Sequence, residues 1–115
     1  MTINRFETNQ RMSELVVHNG TAYLAGQIPD DSSADIGTQT EQVLANIDRL
    51  LALAGTDKTK ILSATIYLAD MRYFPAMNAK WDAWIPQGAG PARATVHAAL
   101  ADPDIKIEIS VIAAV

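Results

Sequence analysis

The sequence predicts an α+β fold, with a single mixed β-sheet carrying two helices on one face. Three observations lead there. Asn19-Gly20 separates two short apolar runs near the N-terminus. Two later stretches repeat apolar residues at helical spacing. Two alternating stretches close the chain. At 115 residues, with no internal repeat and no low-complexity tract, the chain reads as one domain spanning 1–115.

Leu15-Val16-Val17-His18 and Thr21-Ala22-Tyr23-Leu24-Ala25 flank the Asn-Gly pair. Both turn residues tolerate positive φ, so this is a tight-hairpin signal. A further short strand fits at Ile3–Glu7, and Gly26 to Ser33 reads as loop. A helix is expected from about Thr38 to Ala54. Thr38 and Glu41 have capping-box spacing, and Val43, Leu44, Ile47, Leu50, Leu51 and Ala54 form one apolar stripe. Gly55 is a natural stop. Lys60 to Ala69 alternates and is rich in strand formers.

A second helix is expected over Tyr73–Ile85. Phe74, Met77, Trp81, Trp84 and Ile85 share a face, and Pro86 with Gly88 end it. Strands at Ala92–Leu100 and Ile105–Ala114 follow, joined by a turn at Ala101-Asp102-Pro103-Asp104. Each helix offers one apolar stripe, so both are expected on the same sheet face. The other face mixes charged, small and apolar residues. It can meet water or a second copy of the chain.

Composition narrows the function classes. The chain has no cysteine, which excludes disulfides, thiolate nucleophiles and cysteine-ligated zinc. His18 has no partner at ligand spacing, so no metal site is expected. The N-terminus shows no apolar leader, and no apolar run approaches the ~18 residues of a membrane span. The expectation is a cytoplasmic protein without a membrane partner. The net charge is −4 with no basic block. That argues against general nucleic-acid affinity, which is mostly phosphate neutralisation by Lys and Arg.

If Ala101 faced Asp104 across a hairpin, Thr95 would face Ser110, His97 would face Glu108, and Arg93 would face Ile112. Arg93, Thr95, His97, Glu108 and Ser110 would then gather on the uncovered face. An arginine offers a planar fork that matches a carboxylate, and a glutamate can hold or deprotonate a water. A solvated sheet face with a cross-strand ion pair is the plainer reading of the same residues.

Gly90-Pro91-Ala92-Arg93-Ala94-Thr95-Val96, followed by Lys106-Ile107-Glu108-Ile109, resembles the C-terminal signature of the RidA (YjgF-type) family of reactive-intermediate deaminases. Ala25-Gly26-Gln27-Ile28-Pro29 and Phe74-Pro75-Ala76-Met77-Asn78-Ala79-Lys80-Trp81 are similar to two earlier family motifs, so the resemblance covers most of the chain. It implies a chorismate-mutase-like fold, a homotrimer with sites between subunits, and no cofactor. It further implies hydrolysis of 2-imino and enamine acids to 2-keto acids and ammonia.

Carried over singly, Arg93 matches the arginine that grips the substrate carboxylate, and Glu108 the glutamate that positions water. Gly26 and Asn78 match residues lining the site, Thr95 stands where cysteine is frequent, and Trp81 lies close to Asn78 along its helix. Met12 and Ala25 replace a tyrosine and a serine common in the family. These departures leave a second expectation open, a non-catalytic trimer that binds a small carboxylate as a sensor or regulator. His97 reads as structural.

Overall fold

The computed structural model describes residues 2–115. Its strands are β1 (Asn4–Thr8), β2 (Ser13–His18), β3 (Thr21–Leu24), β4 (Ile61–Leu68), β5 (Ala92–His97) and β6 (Ile107–Ala114). The helices are α1 (Ile36–Leu53) and α2 (Phe74–Trp84). One mixed sheet runs in the order β1-β2-β3-β6-β4-β5. Only β4 and β5 pair in parallel, with α2 as the crossover between them. At the first hairpin Asn19 and Gly20 have φ of 54° and 74°, the left-handed pair that a two-residue turn requires.

α1 begins earlier than the capping-box spacing predicts. Asp35 is the cap, and its Oδ1 accepts the Thr38 N–H at 2.8 Å. Thr38 is already helical and donates rather than caps. Glu41 is therefore free to pair with Lys80 on α2 at 3.0 Å, which ties the two helices together. The α1 stripe is as expected: Val43, Leu44, Ile47, Leu50 and Leu51 are buried against Ile66, Ile107, Ile109 and Val111 of the sheet.

The expected hairpin between the last two strands does not form. Asp102–Asp104 is indeed a turn, with the Asp104 N–H donating to Asp102 Oδ1 at 2.8 Å. However, β6 lies between β3 and β4, and β4 separates it from β5. Gln39, fully buried at the start of α1, holds the connection in place. Its Nε2 lies 3.0 Å from the Asp104 carbonyl, and its Oε1 accepts the Lys106 N–H at 2.8 Å. The chain after β5 is thereby tethered to the α1 N-terminus and enters the middle of the sheet.

The uncovered face is a row of contrasting residues. Arg5, Val16, Tyr23, Ile112, Ser63 and Ala92 align across all six strands. Tyr23 and Ile112 are 46% and 37% exposed there, beside small side chains on β4 and β5.

Candidate functional site

The sequence-predicted residues fall into two groups on opposite sides of the sheet. Arg93 lies on the edge strand β5, in register with Ala64 of β4, which is in register with Val111 of β6. Ala64 and Val111 are core residues, so Arg93 lies on the helix-covered face. This corrects the expectation that placed Arg93, Thr95 and His97 on the uncovered face beside Glu108. That placement depended on β5 and β6 being neighbours. With β4 between them, the register is set by β4, and His97 and Thr95 align with Leu68 and Ile66.

α2 covers Arg93. Phe74, Asn78 and Trp81 follow at four- and three-residue steps, which puts them on one side of the helix. Arg93 Nη2 donates to Asn78 Oδ1 at 2.8 Å. The guanidinium carbon sits 5.3 Å from the Trp81 ring centroid and 6.0 Å from that of Phe74, within cation–π range. The ion pairs among the described residues are Arg49–Glu7, Arg72–Asp70 and Lys80–Glu41, so the Arg93 charge has no carboxylate partner there. Two residues along, the Thr95 hydroxyl oxygen is buried without a hydrogen-bond partner. Such a group costs about 1–3 kcal/mol unless something satisfies it. His97 Nε2 lies 3.1 Å from the Ala69 carbonyl, a structural contact.

The second group surrounds Glu108 on the uncovered face. Tyr67 of β4 lies beside it in register. Gly26 follows β3, where Gln27 and Ile109 exchange both backbone hydrogen bonds at 2.8 and 3.1 Å. This brings Gly26 directly against Glu108. A Cβ at position 26 would stand 2.1 Å from Glu108 Oε2, so any side chain there would push the carboxylate out of its present position. Gln27 Nε2 donates to Glu14 Oε2 at 3.1 Å, which fixes a second carboxylate nearby. A cavity of about 530 Å³ opens here, lined among others by Met12, Glu14, Gly26, Asp30, Arg49 and Glu108. Glu14 and Arg49 are not singled out by the sequence, and Phe74 is read there only as part of the apolar face of α2. For Phe74 the seven-residue spacing to Trp81 was the available signal.

Residues 2–115 match the family model described as Endoribonuclease L-PSP. The chain belongs to the RidA/YjgF family. It is 47% identical over 115 residues to the RutC family protein YoaB of Escherichia coli, covering all of both chains. It is also 47% identical over 113 residues to a RutC family protein of Haemophilus ducreyi, covering 98% of this chain and 97% of that one. The fold superposes on the crystal structure of a YjgF family member from Neisseria meningitidis with a TM-score of 0.96 at 46% identity, covering 99% of this chain and 95% of that one. The single mixed sheet with two helices on one face is thus the fold of the family. Among the described residues there is no cluster of His, Cys, Asp or Glu able to hold a metal ion, and no helix is long and apolar enough to cross a membrane.

Proposed function

We propose that this protein hydrolyses 2-imino and enamine acids to 2-keto acids and ammonia, at sites shared between the subunits of a homotrimer. One observation carries the reading. A guanidinium without a carboxylate partner and a carboxylate seated on a glycine lie on opposite sides of one sheet. A single chain cannot close them on one small ligand, but a symmetric copy can. Exposed Tyr23 and Ile112 on the uncovered face support such an assembly, since fully burying a large apolar side chain is worth about 1.5–3 kcal/mol.

In this site Arg93 binds the substrate carboxylate, flanked by Asn78, Trp81 and Thr95. Glu108 and Gly26 of the adjoining copy hold one water. A protonated imine carbon is already electrophilic, so positioning supplies most of the acceleration. Water attacks that carbon as Glu108 takes a proton, forming a carbinolamine. Glu108 returns its proton to the nitrogen, the C–N bond breaks and ammonia leaves. The hydroxyl gives up its proton to Glu108 as the carbonyl of the 2-keto acid forms. An enamine acid enters this sequence as its imine tautomer. No cofactor enters this balance, and a cytoplasmic setting suits it.

The test is ammonia release from freshly generated 2-iminopropanoate. Arg93→Ala and Glu108→Gln are each expected to be inactive. Co-expressed in equal amounts, they should recover about a quarter of wild-type activity, because random assembly pairs an intact Arg93 with an intact Glu108 at that fraction of boundaries. No recovery would place both groups in one subunit's site, and a monomer mass in light scattering would remove the shared site.

Met12 favours a second reading, a carboxylate-binding regulator. It lines the Glu108 cavity, is 43% exposed and brings a thioether with no proton to donate. Thermal stabilisation by 2-oxobutanoate without ammonia release from the imine would select it. The family model's description names an endoribonuclease, but a net charge of −4 gives little basis for holding a polyphosphate chain.

A further inference from the structure

Arg93 is constrained from one side only. Asn78 fixes Nη2 at 2.8 Å, and Trp81 and Phe74 lie 5.3 and 6.0 Å from the guanidinium carbon. Trp81 is itself locked. It is 5% exposed and packs on Trp84 with centroids 5.4 Å apart. Trp84 donates its indole N–H to Asp48 Oδ2 on α1 at 2.9 Å, with Lys58 Nζ 5.1 Å from the centroid of its ring. A packed chain therefore runs from α1 through two tryptophans to the Arg93 guanidinium.

We propose that Phe74, Asn78 and Trp81 are positioning residues that set the plane of the Arg93 guanidinium, so that its unbonded edge meets a ligand carboxylate bidentately. The proposal rests on reading Arg93 as the carboxylate anchor. Its physical basis is entropic and geometric. A free arginine carries about 2 kcal/mol of rotamer entropy, which a preset side chain does not lose again on binding. The partner at 78 is a neutral amide. It orients the cation without cancelling the charge the ligand needs, whereas a carboxylate there would compete with the ligand. The aromatic faces act on a planar, weakly hydrated cation and suit a lysine ammonium less well.

The test measures 2-oxobutanoate binding by calorimetry and imine hydrolysis by ammonia release, on the whole assembled protein. Asn78→Ala and Trp81→Leu should each raise Kd and KM by roughly tenfold, the size of one lost charge-assisted contact, with the loss falling on KM rather than kcat. Asn78→Asp should weaken binding further than Asn78→Ala. Arg93→Lys should cost at least about tenfold in the wild-type background and much less in the Trp81→Leu or Asn78→Ala background, since a lysine has no plane to be set. Additive effects, or an unchanged Kd in both single variants, would overturn the proposal. If Trp81→Leu does not fold, the Asn78→Ala pair carries the same cycle. Arg93→Ala separates the two levels. Full binding in that variant removes Arg93 as anchor, while lost binding there with an unchanged Kd in the Asn78 and Trp81 variants removes only the clamp.

Discussion

Arg93 and Glu108 are held by different kinds of structure. Arg93 projects from an edge strand, and side chains of a covering helix surround it: an amide at one nitrogen and two aromatic rings centred 5.3 and 6.0 Å from its guanidinium carbon. Glu108 rises from a central strand, and backbone seats it, with Gly26 leaving the space and the Gln27–Ile109 bridge fixing the distance. A helix-held group can be retuned one side chain at a time. A group seated on backbone is displaced by a side chain added beneath it. The two also face opposite ways across the sheet, which is why the proposed site needs a second copy to complete it.

The comparison breaks most sharply at Arg93. Arg93→Ala should abolish detectable deamination while fold and association survive, because the residue sits at the sheet edge and is not core. Circular dichroism and light scattering check the second half of that statement. Wild-type ammonia release from this variant would remove the anchor role altogether. Next in size is the backbone seat. Gly26→Ala forces the Glu108 carboxylate aside, and a misplacement of about 1 Å can cost on the order of a hundredfold in rate. Its expected signature is a fall in kcat with 2-oxobutanoate affinity retained, the same split expected of Glu108→Gln. An equal loss of affinity would show that the seat and the anchor are not separate.

Much of this was legible in the residues. Asn19-Gly20 announced its hairpin, the α1 stripe its core face, and Pro86 with Gly88 the end of α2. The α1 cap is ambiguous in the sequence because Asp35 and Thr38 are both good capping types three residues apart. Only the backbone decides which one precedes the helix. Strand order is less legible still. Turn chemistry at Asp102-Pro103-Asp104 is local and correct, but it does not tell a hairpin from a return to the sheet centre. That choice is made by Gln39, more than sixty residues away, and by β4, which pairs with both strands. The face of Arg93 depends on the same strand order. Polarity alone puts Arg93, Thr95 and His97 on the uncovered face. On an edge strand the longer polar row Arg93, Thr95, His97 goes under the helix instead. The small row of Ala92, Ala94 and Val96 is left facing out, where a second backbone can approach closely. The disagreement with the apolar-inside rule lies at the candidate site, which is where such rules are expected to give way.

The smallest effect concerns how the helix-held half begins. A 3-10 turn at Met71–Tyr73 leads directly into α2, and Asp70 caps it. Asp70 accepts the Arg72 backbone N–H at 2.9 Å and the Arg72 Nε at 2.9 Å. Hydrogen bonding from the Arg72 side chain, then from its backbone N–H, lowers the Asp70 pKa from the ordinary 3.8 to about 2. A carboxyl depressed on folding stabilises the native state above its unfolded value and loses that contribution as pH falls through its folded one. Stability from Asp70 is therefore complete at neutral pH, begins to fall near pH 4 and is gone below about pH 2. Asp70→Asn keeps the side-chain shape and some capping capacity but cannot titrate. The gap in Tm between wild type and Asp70→Asn should be small, widest at neutral pH, and should close as the pH drops from about 4 toward 2. The backbone-held half has no acid cap of this kind at Gly26, so the pH-dependent gap should be confined to the α2 side. Hydrogen exchange at Phe74–Trp84 compared with Ile107–Ala114 reads that difference. A Tm gap that stayed constant across the window would mean that Asp70 acts through shape alone.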